Sequence, residues 1–417
     1  MWYINEYKRT SSLTYVKFDV YNISMKTNPG GQIDPENVIG RDKLILEIWE
    51  ALEQQSVIVT AERRFGKTTI MKKMENEPPE GWIPVFQDLE QFTSAPEFAM
   101  SVYRGVQQHL SNNRKNANRV VNLLRNLGGA EIGGFFTLPR MDRAPWQDIL
   151  VTAIEDLIIE QPKGNHLLFL WDEMPYMLAR IRDQEGEETA MQVLNVLRSL
   201  RQTHKGFRML MAGSIGLHHV LTSFTIKASA NAAVNDMYSI DLPPLEPVYA
   251  EELSVTLIQG ERIIVANEKN LVQEIAQISD GFAFYIHHII REIKRRGQIE
   301  PNDVAHIVEE QLTDTSDPWE LRHYEDRLAN YYGSDTQIVR LILDELATHE
   351  KPIKARALLT HLQMVKNYDD LENLRGLLTK LAQDHYLIRG PEGYSFRFSI
   401  IKRWWKLERE LGEGDSE

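Results

Sequence analysis

Apolar residues in the first 246 positions follow two alternating patterns. Short runs of β-branched and large apolar residues predict strands at 57–60, 83–86, 167–171, 207–212 and 237–241. Between them, longer segments with apolar residues three or four positions apart predict helices at 41–55, 95–127, 146–160 and 191–201. Strands that alternate with helices in this way predict an α/β fold with a doubly wound, mostly parallel sheet.

Beyond residue 247 the pattern becomes helical. Helices are expected at 249–259, 271–279, 282–296 and 301–312, and then at 336–349, 355–362 and 370–385. Two strand patterns follow, 386–389 and 394–398, on either side of the turn sequence Gly-Pro-Glu-Gly. Three helices closed by a two-stranded ribbon are typical of a winged-helix domain.

These patterns divide the chain into parts. In an N-terminal extension, residues 1–30, alternating apolar residues at 16–20 predict a strand that either packs on the chain's own surface or offers a partner-binding edge. The expected parts that follow are an α/β core at 31–246, a helical lid at 247–332, a winged-helix domain at 333–411 and a disordered tail at 412–417.

The composition fits a soluble globular protein, because 42% of the 417 residues are hydrophobic and 26% are charged. The net charge of −13 argues against indiscriminate nucleic-acid binding, although a local basic patch is compatible with it. The absence of cysteine excludes disulfides and cysteine–zinc sites. Because the chain also lacks a long apolar run and a secretion-signal pattern, we expect a cytoplasmic protein without a membrane partner.

The first predicted strand leads through a polar loop into a helix, within residues 57–70. The loop ends in Gly-Lys-Thr, which predicts a phosphate-binding loop whose N–H groups and helix N-terminus face an anion. Gly66 permits close approach of the backbone, Lys67 is expected to reach the β- and γ-phosphates, and Thr68 to coordinate Mg²⁺. The first loop position, usually glycine, is Ala61, a variant that we expect to be tolerated.

A second motif follows the apolar run 167–171, which is typical of a central parallel strand. The run ends in Asp172-Glu173, and two carboxylates at the end of a buried strand are costly unless they pair or take part in chemistry. After a Gly-Lys-Thr loop, we expect Asp172 to hold Mg²⁺ and Glu173 to polarise the attacking water.

Other positions leave alternatives open. Ser214 would either sense the γ-phosphate or cap the next helix. Arg198 and Arg201 share a helix face and would either act in trans on a neighbour's γ-phosphate or stay solvated. Arg63 and Arg64 would flank the phosphates or clamp a neighbouring acidic segment.

Two histidine pairs, His218-His219 and His287-His288, raise the question of a metal. Adjacent residues on a helix point about 100° apart and seldom share one ion, so core or surface roles are expected for them. For DNA binding, the recognition helix at 370–383 lacks a basic stripe. The ribbon and tail carry more cations, at Arg389, Arg397, Lys402, Arg403 and Lys406.

The chain resembles the STAND-like, archaeal-type P-loop ATPases, relatives of AAA+ and origin-recognition ATPases. The resemblance is carried by residues 28–31, 38–41, 63–68, 171–173 and 212–216. It implies a core of the P-loop NTPase type. The strands of its sheet, numbered along the chain, would lie side by side in the order 5-1-4-3-2. It also implies hydrolysis of ATP with Mg²⁺ and contact of the 38–41 segment with adenine. The lid departs from the family at 280–283, where Arg291 is the nearest candidate for a basic sensor.

Together, these arguments define an expected site. The expected catalytic residues are Glu173, Lys67, Ser214 and Arg198. The expected metal ligands are Thr68 and Asp172. The expected nucleotide-binding residues are Ala61, Glu62, Arg63, Arg64, Phe65, Gly66, Lys67, Thr68, Thr69, Val38, Ile39 and Arg41.

The function expected from this site is an ATP-dependent conformational switch. Hydrolysis, or exchange of ADP for ATP, would reset the arrangement of core, lid and winged helix. That change would in turn alter self-association or the binding of a separate effector or sensor protein. The resemblance implies a process such as signalling, defence against mobile elements or DNA transactions. The alternatives are a DNA-binding ATPase of the loader, transposition or origin type and a nucleotide-binding module that scarcely hydrolyses.

Overall fold

The structure, a computed structural model, describes residues 25–110, 119–120, 130–132, 135–137, 146–161, 164–213, 216–224, 233–297 and 303–412. The predicted strand of the N-terminal extension, Ser214 and the tail beyond residue 412 lie outside these residues. Within the described residues, no helix has the length and apolar character needed to cross a membrane.

A parallel sheet forms the centre of the core. The strands are β1 (Val57–Thr60), β2 (Trp82–Asp88), β3 (Ala130–Ile132), β4 (Phe135–Thr137), β5 (His166–Asp172), β6 (Phe207–Ala212) and β7 (Tyr238–Asp241). Apart from β3 and β4, which form a separate antiparallel pair, they build one sheet in the order β2-β5-β6-β1-β7 with every neighbour parallel. The predicted α/β fold class and the predicted strand order are confirmed.

Helices cover both faces of this sheet. They are α1 (Asp42–Gln54), α2 (Lys67–Asn76), α3 (Ala95–His109), α4 (Trp146–Glu160), α5 (Met174–Glu185), α6 (Glu187–Thr203) and α7 (Leu217–Ser223). The pleat of β5 sends Leu168 and Leu170 into the apolar cluster with α1 and α2. Leu167, Phe169 and Trp171 enter the cluster with α3 to α6. The strand that ends at Asp172 is therefore buried on both faces, as its apolar run predicts.

A helical region follows, which we call the lid region. It contains α8 (Pro247–Gly260), α9 (Glu268–Ile278), α10 (Ala283–Arg296), α11 (Asp303–Thr313) and α12 (His323–Tyr332). The first four match predicted helices, whereas α12 was not predicted. It buries Tyr324, Leu328 and Tyr332, which are four residues apart and share one helix face.

The C-terminal region has the predicted order of elements. It contains α13 (Thr336–Thr348), α14 (Ala355–Lys366), α15 (Leu371–Gln383), β8 (Leu387–Gly390), β9 (Gly393–Phe396) and α16 (Ser399–Glu408). The strands β8 and β9 pair antiparallel, and Ile353 adds an isolated bridge to Tyr394. The interpretation of this region as a winged helix stays a prediction.

Core, lid region and C-terminal region meet at an aromatic contact. The ring of Phe65, in the loop after β1, lies 4.3 Å from that of Phe282 in the lid region and 5.5 Å from that of Phe398 in the C-terminal region. Close by, the Asp280 carboxylate accepts hydrogen bonds from Ile400 N at 2.7 Å and Ser399 Oγ at 2.8 Å. The loop that the sequence predicts to bind phosphate therefore lies where all three parts touch.

Candidate functional site

The loop between β1 and α2 has the backbone geometry of an anion-binding loop. Gly66 has a φ of +87°, a left-handed conformation that favours glycine, and it immediately precedes α2. Arg64 is also left-handed, with a φ of +68°. These turns bring the N-terminus of α2, with its unpaired N–H groups, to the edge of a cleft.

Lys67 lies inside the loop. Its buried Nζ donates hydrogen bonds to Ala61 O at 3.1 Å and Glu62 O at 2.9 Å. Burial lowers the pKa of Lys67, while the negative charges of Glu173, Glu62 and Asp172 act in the opposite direction. A cation held only by two carbonyls of its own loop is positioned to bind an anion that enters the cleft.

Thr68 and Asp172 are in direct contact. The Thr68 hydroxyl donates to Asp172 Oδ2, and Glu173 N donates to Asp172 Oδ1 at 3.1 Å. Burial raises the pKa of Asp172, and the hydrogen bond from Thr68 opposes that rise. A buried carboxylate beside a hydroxyl is an oxygen donor set that suits a hard cation such as Mg²⁺, so these residues fit the predicted ion.

Glu173 follows at the start of α5 with a φ of +55°. Left-handed backbone in a non-glycine residue costs free energy and is concentrated at functional sites. The side chain lines the same cleft as Gly66, Lys67 and Thr68. The two carboxylates predicted to act on metal and water are therefore both next to the loop.

The far wall of the cleft comes from the 28–41 segment and the lid region. Val38 and Ile39 line it, facing Phe284 and His287 of α10. Arg41 also lines it, but its guanidinium is bonded to protein carbonyls, Pro243 O at 2.7 Å and Phe65 O at 3.4 Å. Burial lowers the pKa of Arg41 to about 10 and that of His287 to about 4, so His287 is neutral at pH 7.

The opposite face of the loop does not face this cleft. The Glu62 side chain is buried and accepts both Nη1 and Nη2 of Arg327 at 3.2 Å. Burial by itself would raise the pKa of Glu62, but the charge of Arg327 holds it well below its usual range. The prediction that Glu62 contacts nucleotide therefore needs correction for its side chain, which points to α12 and lines a second cavity with Ala61.

Arg63 and Arg64 contact an acidic residue and also line the cleft, so both roles that the sequence left open stay open. Both pair with Glu320, just before α12, with Arg63 Nη2 at 3.3 Å and Arg64 Nε at 3.2 Å. The Arg64 guanidinium also lies 5.0 Å from the centre of the Phe284 ring.

The remaining predicted residues are less closely placed. Arg198 is half-buried on α6, while Arg201 holds Asp236 at 2.7 Å and Ala233 O at 2.7 Å, which is a structural role. Arg291 is exposed on α10 and is not part of the cleft wall. Sequence reasoning missed Glu320 and Arg327, for which the only available signal was the apolar spacing of α12.

Comparison with known proteins supports the fold. No family model and no curated protein matches the sequence. A Walker-type ATPase of Pyrococcus abyssi is similar in structure, with 14% identity and a TM-score of 0.61 over 93% of this chain and 99% of that chain. At this identity the likeness concerns the fold alone, which this chain shares with that Walker-type ATPase.

Two further structures are similar to a lesser degree and add no argument. ORC2 of Aeropyrum pernix, in ADPNP–ADP complexes, has 13% identity and a TM-score of 0.49 over 93% of this chain and 98% of that chain. The RuvB Holliday junction branch migration motor of Thermotoga maritima has 12% identity and a TM-score of 0.37 over 89% and 95%.

Proposed function

We propose that this protein binds and hydrolyses ATP with Mg²⁺ and uses the nucleotide state to change how its core, lid region and C-terminal region are arranged. Lys67 and the N-terminus of α2 hold the phosphates, Thr68 and Asp172 hold Mg²⁺, and Val38 and Ile39 contact the base. Bound Mg²⁺ would neutralise charge on the phosphates. Glu173 orients water and accepts its proton as the water attacks the γ-phosphorus and ADP leaves.

The observation that carries the proposal is the attachment of the loop to other parts of the chain. Glu62 is bonded to Arg327, Arg63 and Arg64 to Glu320, and Phe65 packs on Phe282 and Phe398. To reach a phosphate, Lys67 would leave the carbonyls of Ala61 and Glu62, to which it now donates. Phosphate binding therefore perturbs Glu62, whose side chain is bonded to Arg327 of α12. This couples the two faces of the loop.

The partner belongs to the proposal as well. A change of arrangement would expose or cover surface for a second copy or for a separate effector or sensor protein. In an assembly of copies, Arg198 is the candidate for action on a neighbour's γ-phosphate. The process served, signalling or defence against mobile elements, follows only from the family resemblance.

The test combines phosphate release with light scattering after size-exclusion chromatography. We expect the wild type to turn over ATP with Mg²⁺, and Glu173→Gln to lose about 100-fold or more of the rate and to accumulate an ATP-bound assembly. The exposed Glu188→Gln on α6 is the matched control and should behave as wild type. A wild type that neither releases phosphate nor changes its size on ATP addition would contradict the proposal.

For the DNA-binding alternative, two of the five predicted cations are engaged within the chain. Arg397 pairs with Asp241 at 2.5 Å, and Lys402 donates to His349 O at 2.7 Å. Lys402 also lies 3.2 Å from a carboxylate oxygen of Glu350. Cations that neutralise carboxylates of their own chain offer less to phosphates, so we expect weak duplex binding. A strong affinity that falls steeply with salt would favour the alternative instead.

A further inference from the structure

A cluster of His218, His219 and Asp384 joins the core to the C-terminal region. The histidines lie in the first turn of α7, and Asp384 directly follows α15. Both imidazole Nε2 atoms point to the same carboxylate oxygen, Oδ1, with His218 at 2.9 Å and His219 at 2.6 Å. The expectation that neighbouring histidines diverge therefore does not hold for this pair.

The three side chains are held in place by their surroundings. Tyr332 OH donates to the other carboxylate oxygen of Asp384 at 2.5 Å, and the Tyr331 ring stacks on His219 at 4.3 Å. The His218 ring packs on Gly216, where a Cβ would come within 2.4 Å of the imidazole. Asp384 is buried, which by itself would raise its pKa, but the two nearby histidines hold that pKa well below its usual range.

The hydrogen bonding of the cluster is incomplete without a further ligand. His219 is within hydrogen-bonding distance of Asp384 Oδ1. His218 Nε2 is buried and close to the same oxygen, yet its angles are not those of a hydrogen bond, and it has no hydrogen-bonding partner among the described residues. His218 Nε2 is therefore a buried polar atom without a partner in the described part of the chain, because His219 already contacts the Asp384 oxygen at which it points. A metal ion would supply the missing contact.

We propose that His218, His219 and Asp384 bind a divalent transition metal ion of the Zn²⁺ class. Zinc takes imidazole nitrogen and carboxylate oxygen at about 2.0–2.2 Å, which sets tetrahedral ligand atoms about 3.3 Å apart. The two Nε2–Oδ1 separations of 2.9 and 2.6 Å need to open by only about half an ångström to admit the ion. Tyr332, bonded to the outer carboxylate oxygen, orients that ligand.

The donor set separates this site from the predicted magnesium site. Imidazole nitrogen suits zinc and its neighbours among the transition metals, whereas Mg²⁺ prefers oxygen. His218 and Asp384 line the cavity that Glu62 and Arg327 also line, and water from this cavity would complete the coordination. Bound metal would join α7, which follows β6, to the end of α15. It would thereby hold the core against the C-terminal region.

The experiment uses the full chain, freed of metal by a chelator, with excess Mg²⁺ present to occupy the carboxylates near the loop. Co²⁺ alone is titrated and followed by its visible d–d absorption, and Zn²⁺ alone is titrated by calorimetry. We expect one equivalent of either ion, and binding at least about tenfold weaker in His218→Ala and in His219→Ala. Zn²⁺ should also raise the Tm of the wild type by a few degrees, on the order expected for a tightly bound ligand.

The matched control is His361→Ala, because that imidazole also lies beside a carboxylate, 3.2 Å from Glu345. It should bind both ions as the wild type does. Where an alanine variant does not fold, His219→Gln keeps the size of the side chain and should lose the ion as well. Absence of stoichiometric binding, or equal binding by the His219 and His361 variants, would overturn the proposal and indicate adventitious binding to surface histidines only.

Discussion

The two faces of the loop after β1 are held in different ways. On the cleft face, Lys67 bonds to carbonyls of the loop itself, and Thr68 bonds to Asp172 at the end of β5. On the opposite face, Glu62 bonds to Arg327, 265 positions further along the chain. Arg64, which also lines the cleft, bonds to Glu320, 256 positions further along. A single short loop thus carries the proposed phosphate site and also the contacts that attach it to the lid region.

One part of the loop is common to phosphate-binding loops, and the other is particular to this chain. The cleft face uses a backbone turn, a helix N-terminus and one lysine, which any phosphate-binding loop requires. The opposite face uses the side chain of Glu62, bonded to Arg327, which phosphate binding does not require. If that second face stabilises the fold, loss of its most buried pair, Glu62 and Arg327, should have the largest cost.

Arg327→Ala should have the largest effect. The Glu62 side chain is 1% exposed and that of Arg327 14%, so removal of the guanidinium leaves a carboxylate buried without its partner. Loss of one member of a buried ion pair costs about 3–5 kcal/mol, and we expect the free energy of unfolding in urea to fall by that order.

The matched control for this variant is Arg322→Ala, because Arg322 is exposed just before α12. It should change the free energy of unfolding by less than about 0.5 kcal/mol. Combining Arg327→Met with Glu62→Gln removes both charges and should recover much of the loss. An Arg327→Ala protein as stable as the control would mean that the buried pair does not fasten the loop.

Two carboxylates on opposite faces should respond to pH and substitution with opposite signs. The pKa of Glu62 is below its usual 4.5, so its stabilising contribution is present above pH 4.5 and is lost as the pH falls below that value. The pKa of Asp172 is raised above 3.8, so its ionised form costs stability at neutral pH and the cost disappears on acidification.

The corresponding variants sharpen this contrast. At pH 7 without Mg²⁺, Glu62→Gln should lower the free energy of unfolding, whereas Asp172→Asn should raise it by about 1 kcal/mol. The difference between wild type and Glu62→Gln should shrink as the pH falls below 4.5. Urea unfolding at pH 7 and pH 4 measures both, and two variants that change stability in the same direction would contradict the assignment.

The sequence predicts the strand, loop and helix at the cleft because that information is local. Strand, loop and helix follow one another within residues 57–70, and the apolar run of β5 places Asp172 at the end of a buried strand. The order of the sheet strands came from the family resemblance. By contrast, α12 escaped prediction although Tyr324, Leu328 and Tyr332 have helical spacing, because the residues before it form no regular pattern.

The opposite face of the loop was not predictable for a different reason. The chain has 47 lysines and arginines and 60 acidic residues, so a charge such as Glu62 has many partners that sequence alone does not distinguish. The same holds for His218 and His219, whose convergence depends on Asp384, a residue that tertiary packing brings to α7. Long-range pairing is decided by the packing of the lid and C-terminal regions, which no local pattern encodes.

The smallest effect on stability should come from the exposed ion pairs that Arg63 and Arg64 form with Glu320. Arg63 and Glu320 are 47% and 35% exposed, so Arg63→Ala should lower the free energy of unfolding by less than about 1 kcal/mol. Arg64→Ala should cost somewhat more, because that guanidinium also lies over the Phe284 ring.

Salt separates these exposed pairs from the buried one. Raising the ionic strength from about 0.1 M to about 1 M shortens the screening length from about 10 Å to about 3 Å, so the effect of Arg63→Ala should largely vanish. The effect of Arg327→Ala should persist, because water and ions do not reach the buried Glu62 carboxylate. Urea unfolding of both variants at the two salt concentrations tests this, and an Arg63→Ala cost that matches that of Arg327→Ala and resists salt would mean that the exposed arginine is the main fastening of the loop.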